Sequence, residues 1–111
     1  MELSRAISGL SALSQESRLK VFRLLVKSGP DGLPAGEIAR RLRVPPNTMS
    51  AHLAILSRAG LVTSRRESRS IFYAVDLEGT RQLLSFLVAD CCGGRPEICK
   101  PLIASALAEC C

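Results

Sequence analysis

Apolar residues recur every three or four positions along most of the chain, which is the spacing of amphipathic helices. In the first run, the apolar face consists of Leu3, Ile7, Leu10 and Leu13. Ser14 can serve as the N-cap of a second helix that continues to about Val26. The stretch SGPDGLP then interrupts the pattern with two Gly and two Pro. The spacing therefore predicts two helices before this break.

The next two helical patterns are joined by about four residues. AGEIARRL forms the first, and RVPP ends it because the residue before a proline disfavours helical geometry. NTMSAHLAILSRAG forms the second, with Pro46 at its first turn and Gly60 just beyond its last. Its predicted buried face consists of Met49, Leu53 and Leu56.

Two strand-like runs, LVTSRRESRS and IFYAV, surround a polar, arginine-rich tip and predict a β-hairpin. A helical pattern returns from Leu77 to about Cys92, where Gly93 and Gly94 end it. A loop then leads to Cys99 and a short last helix, PLIASALAE.

This order predicts a mainly α-helical chain with a small β-hairpin: four helices, two strands, a fifth helix and a short C-terminal helix. Two helices joined by a short turn and followed by a basic hairpin form a winged helix-turn-helix. We expect residues 1–92 to form the winged helix-turn-helix domain for DNA binding and dimerisation. Residues 93–111 would form a cysteine-containing C-terminal segment.

Size and charge favour a dimer that binds a polyanion. A chain of 111 residues has one modest core, and dimerisation would add stability. Fifteen Lys and Arg against ten Asp and Glu give a net charge of +5. Each phosphate that such a protein neutralises releases counterions, which favours binding to double-stranded DNA.

Polar residues at the start of the fourth helix lie off its apolar face and suit base edges and phosphates. The predicted DNA-binding residues are Asn47, Thr48, Ser50 and His52 on this helix, and Arg65, Arg66 and Arg69 on the hairpin. Ordinary alternatives are helix-start chemistry for Asn47 and Thr48, and a surface or half-buried packing position for His52. For the arginines the alternative is a solvated hairpin tip.

No stretch reaches the roughly 18 apolar residues of a membrane helix, and the N-terminus does not read as a signal peptide. We therefore expect no membrane partner and a cytoplasmic protein, with reduced thiols. All five cysteines lie in the last 21 residues, which favours metal or redox chemistry. An enzyme is not expected, because the chain has no C-x-x-C at a helix start and no cysteine in a phosphate-binding loop.

Cys91, Cys92 and Cys99 place three soft ligands within nine residues, and the glycines between them let the loop return Cys99 to the pair. Thiolate-only ligation by three sulfurs suits As(III) or Sb(III), whereas zinc usually takes four ligands. Arg95 and Lys100 nearby favour the thiolate form. The alternatives are a thiol redox switch or small buried residues. Cys110 and Cys111 remain open as a second pair, a fourth ligand or a tail.

Several motifs together resemble the ArsR/SmtB repressors. They are S-x-H-L-x-x-L-x-x-A-G-L-V from Ser50 to Val62, R-L-K-V-F-R-L-L in the second helix, E-I-A-R-R-L before the turn, and R-x-x-x-R-S-I-F-Y in the hairpin. The resemblance covers roughly residues 5 to 90 and implies a homodimer with the first and fifth helices at the interface. It also implies repression of an operon until a ligand binds. Two departures are Pro45, where members often have a capping Ser, and Ala51, where many have a longer polar or basic residue.

The resemblance also bears on the inducer. Zinc-sensing members of the family use His and carboxylates on the dimer helix, and the dimer helix of this chain has no His. Other members bind arsenic through a Cys-x-Cys on the helix before the turn, and that helix here, AGEIARRL, has no Cys. The cysteine placement is similar to the variant whose arsenic ligands lie at the end of the dimer helix. This implies that As(III) or Sb(III) releases operator DNA. The alternative is sensing of cadmium, zinc or thiol oxidation through the same cysteines.

Overall fold

The structure is a computed structural model, and it describes residues 1–89 and 93–108. Within these residues the elements are α1 (Leu3–Leu13), α2 (Glu16–Ser28), β1 (Leu33–Pro34), α3 (Ala35–Leu42), α4 (Pro46–Arg58), β2 (Val62–Glu67), β3 (Ser70–Val75), α5 (Leu77–Val88) and α6 (Pro96–Ala108). The predicted winged helix-turn-helix is confirmed, with one short strand added.

The sheet has the strand order β1-β3-β2, and both pairings are antiparallel. β2 and β3 form the wing, in which Glu67 pairs with Ser70 and Ser68 turns the chain with φ +59°. β1 adds Leu33 and Pro34 opposite Tyr73 and Phe72. Two residues are too few to show alternation, so the sequence pattern did not predict this strand.

The core is centred on α4, whose predicted buried face is confirmed. Met49, Leu53 and Leu56 are at most 1% exposed, and they pack in one cluster with Leu25 of α2 and Ile38 of α3. Burying one such side chain stabilises the fold by about 1.5–3 kcal/mol. This cluster fixes α3 and α4 against α2, and Val62 extends it into the wing.

α1 turns its small residues towards the core. Ala6, Gly9 and Ala12 are buried, whereas the large residues of the predicted apolar face, Leu3, Ile7 and Leu10, are exposed. A Cβ at Gly9 would lie 3.4 Å from the Cδ2 of Leu83, so α1 packs closely on α5. The large side chains are thereby left on the surface of the single chain.

On α5, Leu83 is buried and Phe86 packs half-buried against the core, whereas the other large side chains are exposed. We call six of these exposed residues of α1 and α5 the outer apolar face: Leu3, Ile7, Leu10, Leu84, Leu87 and Val88. α6 has no buried residue in its described part, and it exposes Ile98, Leu102 and Leu107.

The N-cap of α2 is Gln15, so the prediction of Ser14 was wrong. The Gln15 side chain accepts a hydrogen bond from the Arg18 backbone N–H at 2.8 Å. Ser14 instead ends α1, with φ −81° and ψ 9°, and its hydroxyl donates to the Ser11 carbonyl. An N-cap needs extended backbone, which Gln15 has and Ser14 lacks.

Two helix boundaries near the C-terminus also differ from the prediction. α5 ends at Val88, before the predicted end near Cys92, because Ala89 adopts an extended conformation with ψ 133°. α6 begins at Pro96 and contains Pro101 in its interior, whereas the prediction began at Pro101. Proline is well suited to a first helical turn, and Glu97 adds the acidic residue that favours this end of a helix.

Candidate nucleic-acid interface

The start of α4 is held without a side-chain cap. Pro45 occupies the N-cap position with φ −56° and ψ 144°, and Pro46 forms the first turn. The departure noted at Pro45 therefore leaves the first-turn N–H groups without a side-chain acceptor. Such groups can donate to a phosphate oxygen, because the helix dipole favours an anion there.

Three of the four predicted α4 residues are exposed beside this helix start. Asn47, Thr48 and Ser50 flank the buried Met49, and their side chains form no hydrogen bond with any residue that the structure describes. Their amide and hydroxyl groups are therefore available to an external partner. The chemistry fits base edges and backbone phosphates equally well.

His52 differs from these three because its ring is half-buried. Its Nδ1 atom is enclosed and has no hydrogen-bond partner in the described part of the chain. His52 lies one helical turn after Thr48, so both side chains project from the same side of α4. The half-burial of the ring is compatible with both roles considered for His52, packing and DNA contact.

The wing separates its three predicted arginines. Arg65 and Arg66 lie within β2 and point to opposite faces of the sheet, while Arg69 lies at the turn. The Arg65 Nε donates to Glu67 at 2.9 Å, and its guanidinium lies 4.9 Å from the centroid of Phe72. Among the described residues, Arg66 and Arg69 have no ion-pair partner.

The sequence analysis missed the contacts that hold Arg65. Residues two apart on a strand share a face, and Phe72 lies directly opposite Arg65 in the register of β2 and β3. The alternation of Arg65 with Glu67 was the available signal. These contacts orient Arg65, while Arg66 and Arg69 have no ion-pair partner in the described part of the chain.

Further arginines are already paired on α3. Arg40 and Arg41 both donate to Glu37, and these hydrogen bonds lower the Glu37 pKa from 4.5 to about 2. The three charges sum to +1, and both arginines are held in ion pairs with Glu37 on the same helix.

The structure describes one of the three predicted metal ligands. Cys99 lies near the start of α6 and is half-buried, whereas Cys91 and Cys92 lie outside the described residues, as do Cys110 and Cys111. Over residues 1–89 and 93–108, no group of three or more His, Cys, Asp or Glu could hold a metal ion. The three-thiolate site therefore stays a prediction.

The fold and the exposed polar helix start define a winged helix-turn-helix DNA-binding protein. The model of a family described as "Helix-turn-helix domain" matches residues 13–65, from the end of α1 into β2. None of the described helices is both long and apolar enough to cross a membrane.

Known regulators share both sequence and structure with the chain. The transcriptional activator HlyU of Vibrio cholerae is 31% identical over 84 residues, which cover 76% of this chain and 75% of HlyU. Its solved structure has a TM-score of 0.63 at 33% identity, covering 78% of this chain and 97% of that one. The chain belongs to the HlyU/ArsR-like family of winged helix-turn-helix transcriptional regulators. The expectation that it is not an enzyme agrees with these relatives.

Two further solved structures bear on assembly and ligand. One is the homodimeric winged helix-turn-helix DNA-binding domain of a possible ArsR-family regulator from Mycobacterium bovis, with a TM-score of 0.65 at 30% identity over 79% of this chain and 81% of that chain. The other is a possible transcriptional regulator for arsenical resistance, with a TM-score of 0.65 at 29% identity over 72% and 80%.

Proposed function

We propose that two copies of this chain form a cytoplasmic repressor that binds operator DNA and releases it when As(III) or Sb(III) binds Cys91, Cys92 and Cys99. The observation that carries the DNA-binding part is the exposed polar start of α4 together with two unpaired wing arginines in the described chain. The fold offers α4 to the major groove and the wing to the neighbouring backbone.

The proposed DNA-contacting residues form two groups, hydrogen-bonding side chains on α4 and charged side chains on the wing. Asn47, Thr48 and Ser50 supply short hydrogen-bonding groups for base edges, with His52 one turn further along α4. Arg66 and Arg69 supply charge for phosphates, which adds affinity rather than sequence discrimination. Arg65 adds charge from a guanidinium already oriented by Glu67 and Phe72.

The outer apolar face supports dimerisation. Leu3 and Leu84 are 65% and 58% exposed, so a partner copy that covers them would remove large apolar surfaces from water. The Mycobacterium bovis relative is named as homodimeric. A dimer joined through α1 and α5 would place two copies of α4 about 34 Å apart, one turn of DNA.

The metalloid part rests on sequence position and on α5. Cys91 and Cys92 follow the end of α5, and Cys99 lies in α6, so ligation of all three would tie these helices together. Because α5 contributes to the proposed dimer face, a change at its end would alter the orientation of the two DNA-binding units. A coupling of about 2.7 kcal/mol would weaken operator binding about 100-fold.

The DNA contacts can be tested by fluorescence anisotropy over a series of salt concentrations. Arg66→Gln should weaken binding and reduce the dependence of log K on log salt by about one unit. Lys20→Gln removes the same charge from an exposed position on α2 and serves as the matched control. Equal effects of the two variants on the salt slope would contradict the wing contact.

The ligand set can be tested by X-ray absorption on the reduced protein loaded with arsenite. The wild type should show three sulfur ligands per arsenic, and Cys99→Ser should show two or lose the ion. Cys110→Ser is the control and should keep three. Three sulfurs in the Cys99→Ser variant would contradict the assignment.

A further inference from the structure

One buried residue of the wing sheet is covered by a loop rather than by the core. Ala74 is 6% exposed, yet it lies outside the core cluster. The loop between α2 and β1 passes over it, because a Cβ at Gly32 would lie 3.1 Å from the Ala74 Cβ and 2.1 Å from the Tyr73 carbonyl oxygen. Gly32 has φ +72°, which lets the loop approach β3 this closely.

An apolar cavity of about 180 Å³ lies between this loop, α2 and the start of α5. Its walls include Leu25, Val26, Val75 and Leu77, and no charged side chain of the described chain lines it. Val26 and Leu77 are 55% and 73% exposed, so the cavity has an apolar rim that is open to solvent. A cavity of about 150 Å³ holds a benzene-sized molecule, so this one fits a ring or a short branched chain.

A second cavity of about 270 Å³ continues from the first along the wing. The two share Pro30, Thr63 and Ala74, and the second extends to Arg65 and Phe72. The strand register places these wing residues on one face, since Thr63 pairs with Ala74 and Arg65 with Phe72. A cation therefore lies in the second cavity, which adjoins the apolar first cavity.

Arg65 lines the second cavity and keeps hydrogen-bonding capacity there. Its Nε donates to Glu67, while its terminal nitrogens make no hydrogen bond with any residue in the described ranges. Contact with Phe72 holds the planar guanidinium against the ring. A guanidinium in a fixed orientation suits a carboxylate, because two parallel N–H groups can bind its two oxygens.

We propose that the paired cavities bind a small carboxylic acid with an aromatic or branched aliphatic body. The body fills the cavity beside Val26 and Leu77, and the carboxylate binds the terminal nitrogens of Arg65. Among the described residues, no cysteine lines either cavity, and binding there does not require DNA. An occupied site adds a negative charge beside the Arg65–Glu67 ion pair of the wing, and this charge weakens the attraction of the wing for phosphate.

Methyl NMR of the reduced full-length protein without DNA tests the site with three probes: benzoate, toluene and acetate. Benzoate should shift the methyl signals of Val26, Ala74 and Val75 saturably. Toluene should shift the same signals more weakly, and acetate should leave them unchanged. Arg65→Gln should weaken benzoate binding about tenfold or more and leave toluene binding unchanged, because only benzoate uses the cation.

Arg66→Gln is the matched control, since Arg66 is the next residue on β2 and faces the other side of the sheet. It should leave binding of both probes unchanged. The proposal would be overturned if benzoate shifted none of these methyl signals at tens of millimolar, or if Arg65→Gln and Arg66→Gln weakened it equally. Loss of DNA binding in a variant would bear on the proposed repressor function and not on this result.

Discussion

α4 and α6 are both thirteen residues long and both carry large aliphatic side chains, yet they are packed very differently. α4 buries Met49, Leu53 and Leu56 almost completely, whereas the described part of α6 buries no residue. The outer apolar face of α1 and α5 resembles α6 in this respect. The helix α4 is thus packed within one chain, while α1, α5 and α6 leave apolar surface uncovered.

This difference separates two kinds of apolar pattern. In α4 the pattern is satisfied by α2, α3 and the wing, so it specifies the fold of the single chain. In α1 and α5 the outer apolar face is exposed, and exposed apolar surface of this kind is typical of a site of contact with another molecule. Mutations in the two regions should therefore affect different properties.

The largest expected effect comes from truncating the α4 core. Leu53→Ala should lower the free energy of unfolding by about 2–5 kcal/mol, because Leu53 is fully buried and the cavity cannot collapse completely. Leu102→Ala on α6 is the matched substitution at an exposed leucine, and it should change stability by about 0.5 kcal/mol or less. Urea denaturation measures both. A loss at Leu102 as large as that at Leu53 would show that α6 is packed.

A charge on the outer apolar face should break the dimer without unfolding the chain. Leu84→Asp should raise the dimer dissociation constant about 100-fold, because it would bury an unpaired carboxylate at the interface. Ser85→Asp places the same charge at an exposed neighbouring position of α5 and should leave the dimer intact. Analytical ultracentrifugation distinguishes the two. Unchanged dimerisation of Leu84→Asp would remove α5 from the interface.

The smallest effect should be an acid dependence common to both regions. Hydrogen bonds from Arg40 and Arg41 lower the Glu37 pKa from 4.5 to about 2, and those from Arg81 and Gln82 do the same for Glu78. Because each folded-state pKa lies below the unfolded value, the stabilisation is complete above pH 4.5 and is lost as the pH falls towards 2.

Thermal unfolding over this acid range should show a small decrease in Tm, since both ion pairs are at the surface. Glu37→Gln and Glu78→Gln should each reduce the slope by a similar amount. A steep slope that remains in the double variant would assign the acid sensitivity to other carboxylates.

The elements that the sequence predicted well are those packed inside the chain. The spacing of Met49, Leu53 and Leu56 found the buried face of α4, and Gly60 with φ +78° marks its end as expected. β1 was missed because its two residues are defined by pairing with β3. Gln15 caps α2 because of local backbone angles that residue type alone does not set.

For the candidate DNA site, the sequence predicted which α4 residues are exposed but not which side chains are enclosed or paired. Exposure of Asn47, Thr48 and Ser50 follows from their position off the apolar face. The burial of the His52 Nδ1 and the pairing of Arg65 depend on neighbours brought together by the fold. Cys91 and Cys92 lie outside the described residues, so the three-thiolate hypothesis still rests on their spacing with Cys99.

The most direct test is fluorescence anisotropy of the reduced dimer on a DNA fragment from its own promoter, titrated with arsenite and, separately, with zinc. We predict that stoichiometric arsenite weakens binding about 100-fold, that zinc does not, and that Cys99→Ser binds DNA normally but fails to respond. Normal release of the Cys99→Ser variant by arsenite, or no release of the wild type, would contradict the proposed metalloid switch.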